Sequence, residues 1–247
     1  MIPVVTPEEM AAIDAAAPEP VEVLIGRAGA ATAVAALEMM GGAYGRRAVV
    51  IAGRGHNGDD GRDAAARLER RGVRCRVVDL DDLPERIDRV DLVVDAALGT
   101  GARPGFSGPR VADGVPVLAV DLPSGLDGLT GAGGDGVVRA DRTITFAALK
   151  PGLLLGDGPE RAGDVTVVDI GLDVSGARAG LVTDDDVRSV LPSRGRTAHK
   201  WSSAVWVVAG SPGMLGAARL CARAAQRAGA GYVRLSSPGV DDDPLAP

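Results

Sequence analysis

Apolar runs of strand length recur along the chain, and each is followed by glycine or other turn residues. Runs at 48–52, 90–95 and 115–120 predict buried strands, and those at 142–146 and 165–170 predict the strands that close the sheet. A break near Pro18 and Pro20 precedes a predicted helix from Val21 to Met40. Alternating strands and helices predict the α/β class: a three-layer α/β/α, Rossmann-like sandwich with a mostly parallel sheet covered on both faces.

The character of the chain changes after Leu172, which predicts three segments. A first domain covers residues 1–191, a polar linker covers 192–203, and a further segment covers 204–247. That segment contains a predicted strand at 205–209, a helix at 215–228 and a strand at 232–235. Because one helix and two strands cannot bury a core of their own, we expect an exposed apolar face that promotes association or disorder.

Polar side chains follow three of the predicted strands. Asp121 comes directly after the run at 115–120, Asp95 ends the run at 90–95, and Asn57 and Asp60 follow the run at 48–52. Ligands of open α/β sheets bind outside the carboxyl ends of the strands, so Asp121 is the best catalytic candidate. Its alternative role is that of a turn acid that caps its own backbone. Turn chemistry alone gives no reason for acids at all three strand ends, which favours a site.

The segment from Gly53 to Gly61 links a predicted strand to a helix at 62–71 and contains the spacing Gly-x-Gly-x-x-Gly. With Asp79 about where a ribose-binding acid is expected, this fingerprint indicates an NAD-dependent oxidoreductase. Asp59 and Asp60 argue against that interpretation, because two carboxylates at the helix start would repel a pyrophosphate unless a cation intervenes. The alternative is that this pair only stabilises the helix start. The oxygen atoms of Asn57, Asp60 and Asp95 suit a hard cation rather than zinc.

Composition narrows the classes of partner. The 247 residues have a net charge of -6 and only 2% aromatic residues, without a basic cluster, so no nucleic-acid partner is expected. Cys75 and Cys221, each among apolar neighbours, are expected to be reduced core residues. The absence of a signal peptide and of an apolar run of spanning length predicts no membrane partner and a cytoplasmic location.

Five segments together resemble the NAD(P)H-hydrate epimerase family, also called the YjeF N-terminal domain family. The family's loop Gly-x-Gly-Asn-Asn-Gly-Gly-Asp-Gly matches Gly53 to Gly61, and its signature Val-Asp-x-Pro-Ser-Gly-x-Asp matches Val120 to Asp127. The other matches are residues 24–31, 94–101 and 146–152. The resemblance implies a metabolite-repair isomerase that interconverts the R and S epimers of hydrated NADH and NADPH (NADHX and NADPHX) at C6 of the nicotinamide ring.

The resemblance also implies roles for residues of this chain. Asp121 matches the catalytic acid at the hydrated ring, and Asn57, Asp95 and Ser124 match the residues around one potassium ion per subunit. A homodimer is implied as well. The matched substrate-binding residues are His56, Asn57, Gly58, Asp59, Asp60, Gly99, Thr100, Gly101, Ala102, Arg103, Pro104, Gly105 and Asp121.

The chain departs from the family pattern at His56, which replaces an asparagine, and at Asp59, which replaces a glycine. Asp59 adds a charge and loses the torsional freedom of glycine, which predicts weaker phosphate binding or a backbone shift. The short stretch between Gly101 and Val115 leaves little room for a crossover helix. A catalytically silent nucleotide-binding or scaffold module of the same fold, and more weakly an oxidoreductase, therefore stay as alternatives. Lys150 is either a substrate contact or an exposed turn lysine.

A second resemblance concerns residues 199–231. His199 and Lys200 with the segments 209–218 and 227–231 are similar to the opening of an ADP-dependent NAD(P)H-hydrate dehydratase domain, which has a ribokinase-like fold. In bifunctional repair enzymes that domain follows the epimerase. The resemblance predicts an incomplete ribokinase-like segment from a truncated or fragmentary bifunctional protein, without dehydratase activity.

Overall fold

The computed structural model describes residues 1–100 and 106–240. The chain forms two compact units, Met1–Val187 and Arg188–Pro247. The strands of the first unit are β1 (Ile2–Val4), β2 (Arg47–Ala52), β3 (Arg74–Asp79), β4 (Arg86–Ile87), β5 (Leu92–Ala96), β6 (Arg110–Val111), β7 (Val117–Val120), β8 (Arg142–Phe146), β9 (Asp164–Val168) and β10 (Ala179–Leu181). Its helices are α1 (Pro7–Ala15), α2 (Val21–Met40), α3 (His56–Arg70), α4 (Pro151–Leu154) and α5 (Gly158–Arg161), and α6 (Asp184–Val190) spans the boundary between the units.

Six strands of the first unit form one sheet in the order β3-β2-β5-β7-β8-β9. Every pair of neighbours in this sheet is parallel, which confirms the predicted parallel sheet. The carboxyl ends of β2, β5 and β7 are therefore adjacent at one edge. The residues that follow these strands come close together there.

Alternating side chains build a core on each face of the sheet. Val50, Val94 and Leu118 pack on one face with buried residues of α2 and α3. Val49 and Val93 point to the opposite face, where they pack with the chain around β4 and β6. The short helices α4 and α5 lie against the part of that second face formed by β9. This is the α/β sandwich that the alternation of elements predicts.

Helix α2 is 20 residues long and is apolar enough, by length and composition, to cross a membrane. The expectation that no apolar run of spanning length exists was therefore wrong. Ala28, Ala33 and Ala36 nevertheless pack into the core against the sheet. Core helices commonly meet the same length and composition test, because a helix buried on several sides is apolar around most of its circumference.

The second unit contains β11 (Ala204–Val208), α7 (Gly216–Arg227) and β12 (Tyr232–Ser236), which confirms the predicted strand, helix and strand. The two strands pair in parallel. Buried side chains between helix and strands form a small core of Val207, Ala218, Ala222 and Leu235. Apolar side chains also face outward, and Trp206 is 64% exposed.

The two cysteines are free thiols, but only one is partly enclosed. Cys75 is half-buried in β3, and burial raises the pKa of its thiol to about 11. Cys221 is exposed on α7, so its predicted place in a core was wrong. Apolar sequence neighbours do not decide which face of a helix a residue occupies, and Ala218 and Ala222 take the inward face here.

Candidate functional site

The carboxyl ends of β2, β5 and β7 carry a group of polar side chains that hydrogen bonds and close approaches link together. We call Asn57, Asp95, Asp121, Ser124 and Lys150 the strand-end site. Asn57 is the second residue of α3, which follows β2. Asp95 is the penultimate residue of β5, and Asp121 and Ser124 follow β7. The sequence predicted four of these five residues.

Asp121 adopts a backbone conformation that side chains rarely take. Its φ angle is +65°, in the left-handed region, and its backbone N–H donates to Ile144 O at 2.7 Å. Asp and Asn tolerate this region better than other residues that carry a side chain, yet it still costs free energy. The turn directs the carboxylate toward Lys150 and Thr145. Thr145 Oγ1 donates to Asp121 Oδ1 at 3.0 Å.

Lys150 is almost completely buried in the strand-end site, with an exposed fraction of 1%. Its Nζ donates to Asp121 Oδ1 at 2.5 Å, to Thr145 Oγ1 at 2.9 Å and to Phe146 O at 3.1 Å. All three ammonium protons therefore have an acceptor. The possibility that Lys150 is an exposed turn lysine was wrong, and the pairing with Asp121 was missed. The one signal in the sequence was its place in the 146–152 segment that matches the family.

Asp95 is completely buried and is bound to the turn after β7. Its Oδ2 accepts from the Ser124 backbone N–H at 2.8 Å, and its Oδ1 accepts from Ser124 Oγ at 2.6 Å. Burial raises the pKa of Asp95 to about 6, although the hydrogen bonds from Ser124 and from the Ala97 backbone lower it. These contacts fix the β7 turn against the end of β5.

Leu98 joins Asn57 to this buried pair through its backbone. The Leu98 N–H donates to Ser124 Oγ at 2.8 Å, and Asn57 Nδ2 donates to Leu98 O at 3.0 Å. Asn57 Oδ1 is buried and has no hydrogen-bond partner among residues 1–100 and 106–240. An unpaired buried carbonyl oxygen near a buried carboxylate and a hydroxyl is an arrangement that suits a hard cation. No group of three or more His, Cys, Asp or Glu side chains fit for a metal occurs in the described residues.

Gly99 lies close to both Asn57 and Asp121 of the strand-end site. A Cβ atom at this position would be 3.4 Å from Asn57 Cβ and 3.6 Å from Asp121 Oδ2. The backbone at Gly99 is therefore open toward both side chains. Thr100 follows in a partly buried position. The remaining residues of the predicted binding stretch, Gly101, Ala102, Arg103, Pro104 and Gly105, lie outside the described residues.

The glycine segment after β2 is helical from His56 onward, and only its first three residues connect the strand to the helix. Helix α3 begins at His56, six residues earlier than predicted, so His56, Asn57 and Gly58 form its first turn. A Cβ atom at Gly58 would lie 2.0 Å from Gly53 O, which explains why the chain has glycine there. The start of α3 lies at the carboxyl end of β2, and the beginning of a helix favours anions through its N–H groups.

Asp59 does not need the torsional freedom of glycine. It lies inside α3 and is absent from the described residues with a positive φ angle, so the predicted backbone shift is not found. Its carboxylate is 3.4 Å from Arg62 Nη1, and Arg62 also donates to Asp79 Oδ1 at 2.6 Å. Asp79, the expected ribose-binding acid of an oxidoreductase, is thus engaged in an ion pair with α3.

Asp60 is 8% exposed at the start of α3. Burial, together with the negative charges of Asp121 and Asp59, raises the pKa of its carboxyl group to about 8. Asp60 is therefore mostly neutral at pH 7. The repulsion of a pyrophosphate that the sequence predicts from Asp59 and Asp60 is reduced, because one group is neutral and the other is paired with Arg62.

Comparisons with known proteins agree with this geometry. Residues 79–152 match the model of the YjeF-related protein N-terminus. The chain contains a YjeF-related N-terminal domain. Over 77% of its length it is 37% identical to the bifunctional NAD(P)H-hydrate repair enzyme Nnr of Salinibacter ruber, of which it covers 45%. It is 33% identical over 81% of its length to the Escherichia coli enzyme of the same name, covering 46% of it.

The chain thus spans about half the length of the curated relatives that it matches. Among solved structures, that of yeast ynu0 superposes with a TM-score of 0.53. The match covers 79% of this chain and 96% of the yeast chain at 20% sequence identity. This likeness supports the Rossmann-like fold of the YjeF-related domain.

Proposed function

We propose that the YjeF-related domain interconverts the R and S epimers of NADHX and NADPHX. The observation that carries the proposal is the Asp121 carboxylate, held by buried Lys150 beside the open backbone of Gly99. The start of α3 adjoins it and offers N–H groups for the phosphates of a dinucleotide. The relatives named for NAD(P)H-hydrate repair supply the substrate class.

The reaction needs a single proton-transfer group. C6 of the hydrated ring carries a hydroxyl next to the ring nitrogen. When Asp121 delivers a proton, the C6–O bond breaks, water leaves, and the nitrogen lone pair forms an iminium ion. Water then adds to the opposite face of C6 and returns a proton to Asp121. Lys150 passes this proton to the Asp121 carboxylate and takes it back when water has added. While the ring is cationic, the pair has lost a proton and carries a net negative charge, which stabilises the ring.

The donor set fits the potassium ion that the resemblance implies. Asn57 Oδ1 is buried without a partner among the described residues, and the Leu98 backbone links Asn57 to the oxygen atoms of Ser124 and Asp95. When bound, the ion would offset the charge of Asp95 and of the ligand phosphates. We expect Asn57→Ala to abolish the difference in thermal unfolding temperature between potassium and tetramethylammonium buffers. Wild-type protein without such a difference would contradict the potassium assignment.

The decisive experiment starts from one purified epimer of NADHX and follows the other by chromatography. Wild-type protein should accelerate the exchange, and Asp121→Asn should reduce the rate at least ~100-fold, since it removes proton transfer. Asp127→Asn is the matched control. Asp127 lies in the same signature, but its carboxylate accepts hydrogen bonds from Leu129 and Thr130 and takes no part in the strand-end site. Exchange at the uncatalysed rate with wild-type protein would instead favour a silent binding module.

The homodimer that the resemblance implies and the cytoplasmic location predicted from the sequence both belong to this proposal. Light scattering during size-exclusion chromatography of the purified chain tests the dimer. A mass of twice 25.0 kDa is the expected result. A single chain mass at the concentration used for the exchange assay would overturn it.

A further inference from the structure

A groove of about 290 Å³ lies beside the amino ends of β2 and β3, where the chain around β4 passes them. Four arginines line it, and we call it the arginine groove: Arg47 of β2, Arg74 and Arg76 of β3, and Arg86 of β4. The strand-end site occupies the carboxyl ends of the same sheet. A strand rises about 3.3 Å per residue, so Arg47 at the start of β2 lies about 16 Å from Ala52 at its end, beside the strand-end site.

The four positive charges lie close together on one face of the sheet. Arg47 and Arg74 are direct neighbours in the register of β2 and β3, and Arg76 is two residues further along, opposite Val49. Side chains alternate between the faces of a strand, so these three arginines share a face. Like charges directly opposite one another destabilise a strand pair. The fold keeps them together nevertheless.

Among the described residues, Asp91 is an acid on which the charge of Arg47 acts, without a close ion pair between the two side chains. Within residues 1–100 and 106–240, the guanidinium groups of Arg47, Arg74, Arg76 and Arg86 form no ion pair. Asp88 is the carboxylate among the groove's lining residues. The concentration of charge is unexpected in a chain with a net charge of -6.

The bottom of the arginine groove is apolar. Val49, Val78 and Ile87 line it and are buried members of the core on that face of the sheet. A guanidinium group binds phosphate oxygens through two parallel hydrogen bonds, and an apolar surface accommodates a planar organic ring. The volume is close to the lower limit for small-molecule pockets, about 300 Å³.

We propose that the arginine groove binds a small organic polyphosphate of nucleotide size, at a site separate from the strand-end site. Four guanidinium groups that converge on one concave surface match several phosphate oxygens at once. An extended acidic polypeptide would instead need charge distributed along the surface. The proposal does not depend on the proposed epimerase activity, because no residue of the strand-end site takes part in it.

Calorimetric titration of the purified full chain with tripolyphosphate and with ATP at low ionic strength tests this site. We expect one equivalent of each to bind with saturation, and the double variant Arg74→Gln with Arg76→Gln to weaken binding at least tenfold. The charge-matched control is Arg223→Gln with Arg227→Gln, two exposed residues of α7 in the second unit. It should bind like wild type. Epimer exchange, measured in parallel, should be unchanged in the Arg74 and Arg76 variant.

Four results would overturn the proposal. The first is the absence of saturable binding by wild-type protein. The second is equal weakening by both double variants, which would indicate a nonspecific charge effect, and the third is binding that the Arg74 and Arg76 changes leave intact. The fourth is tighter binding of a polyglutamate peptide than of ATP, which would make the groove a protein-docking surface. Removing like charges does not threaten the fold, and thermal unfolding of each variant verifies this.

Discussion

Asp121 combines two features that each cost free energy, a left-handed backbone and a carboxylate held against a fully buried lysine. Strained backbone of this kind is concentrated at functional sites, where the surrounding structure enforces it. Here the hydrogen bond to Ile144 O and the three contacts of Lys150 enforce it. The strained backbone of Asp121 thus helps to direct its carboxylate toward Lys150 and Thr145.

The pair of Asp121 and Lys150 gives the first prediction at the residue scale. Lys150→Met leaves the Asp121 carboxylate without its charged partner, and breaking a buried ion pair from one side costs about 3 kcal/mol of unfolding free energy. Epimer exchange should fall at least ~100-fold. The double variant with Asp121→Asn should recover part of the stability, because the uncompensated charge is gone, but should recover none of the exchange. Urea unfolding followed by circular dichroism measures the stabilities.

The control for this prediction is the exposed ion pair of Arg178 with Glu9. Arg178→Met should change the unfolding free energy by no more than about 0.5 kcal/mol, since exposed pairs contribute little. If Lys150→Met were as stable as wild type, or if the double variant were no more stable than the single one, the buried pair would not have the role assigned to it.

Asp60 gives the second prediction, which concerns pH. Its pKa is about 8 in the folded protein and about 3.8 in the unfolded chain. Between these values the folded state holds a proton that the unfolded state has released, so the unfolding free energy falls as the pH rises from about 4 to 8. Asp60→Asn cannot ionise and escapes this loss. Its stability relative to wild type should therefore grow between pH 5 and pH 8.5, by roughly 4 kcal/mol.

Urea unfolding at pH 5, 7 and 8.5 measures this effect of Asp60. Asp59→Asn is the matched control, because its half-exposed carboxylate lies one residue away and is paired with Arg62. Its stability relative to wild type should not grow with pH in the same way. A difference between Asp60→Asn and wild type that stays constant over the three pH values would show that the buried carboxyl does not titrate as described.

At the scale of elements, the sequence predicted the strand ends more accurately than the helix between them. Apolar runs bounded by turn residues are a local signal, so the ends of β2, β5 and β7 and the acids after them were placed correctly. Helix α3 was predicted to begin at Arg62, because glycine has a low helix propensity and the segment reads as a loop. In the structure Gly58 packs closely on Gly53, and the helix forms despite the low helix propensity of glycine. Packing of this kind cannot be predicted from the identity of each residue alone.

The burial of Lys150 could not be predicted from the sequence, for a related reason. Lysine is mostly exposed in proteins, and its partners Asp121 and Thr145 lie 29 and five residues away in the chain. Only the parallel order β7-β8 brings these residues together. Asp121 could be predicted from the apolar strand before it. The pairing of Lys150 with Asp121 depends on which strands are neighbours in the sheet, and this order could not be predicted.

The start of α3 gives a prediction at the element scale. Gly58→Ala places a methyl group against Gly53 O and should displace the first turn of the helix. We expect a loss of about 2 kcal/mol in unfolding free energy, in the range for overpacking, and weaker binding of NADH in a fluorescence titration. The control, Gly55→Ala, has open space around the added methyl and a φ angle of -99°. It should cost less than about 1 kcal/mol. Equal effects of the two substitutions would contradict the packing argument.

At the scale of the whole molecule, the two units differ in the size of their cores. The first unit encloses large cores on both faces of its sheet. In the second unit, the buried apolar cluster of the described residues comprises Val207, Ala218, Ala222 and Leu235. Because stability comes mainly from buried apolar area, a core of this size supports only a marginal fold. We therefore expect the second unit to unfold first.

Both tryptophans of the chain, Trp201 and Trp206, belong to the second unit. Intrinsic tryptophan fluorescence should therefore report on that unit, whereas far-UV circular dichroism reports mainly on the larger first unit. In a urea titration, the fluorescence midpoint should lie below the circular dichroism midpoint, because a chain with two unequal cores does not unfold in a single step. Asp60→Asn at pH 8.5 should raise only the circular dichroism midpoint. Coincident midpoints that move together in this variant would mean that the two units unfold as one.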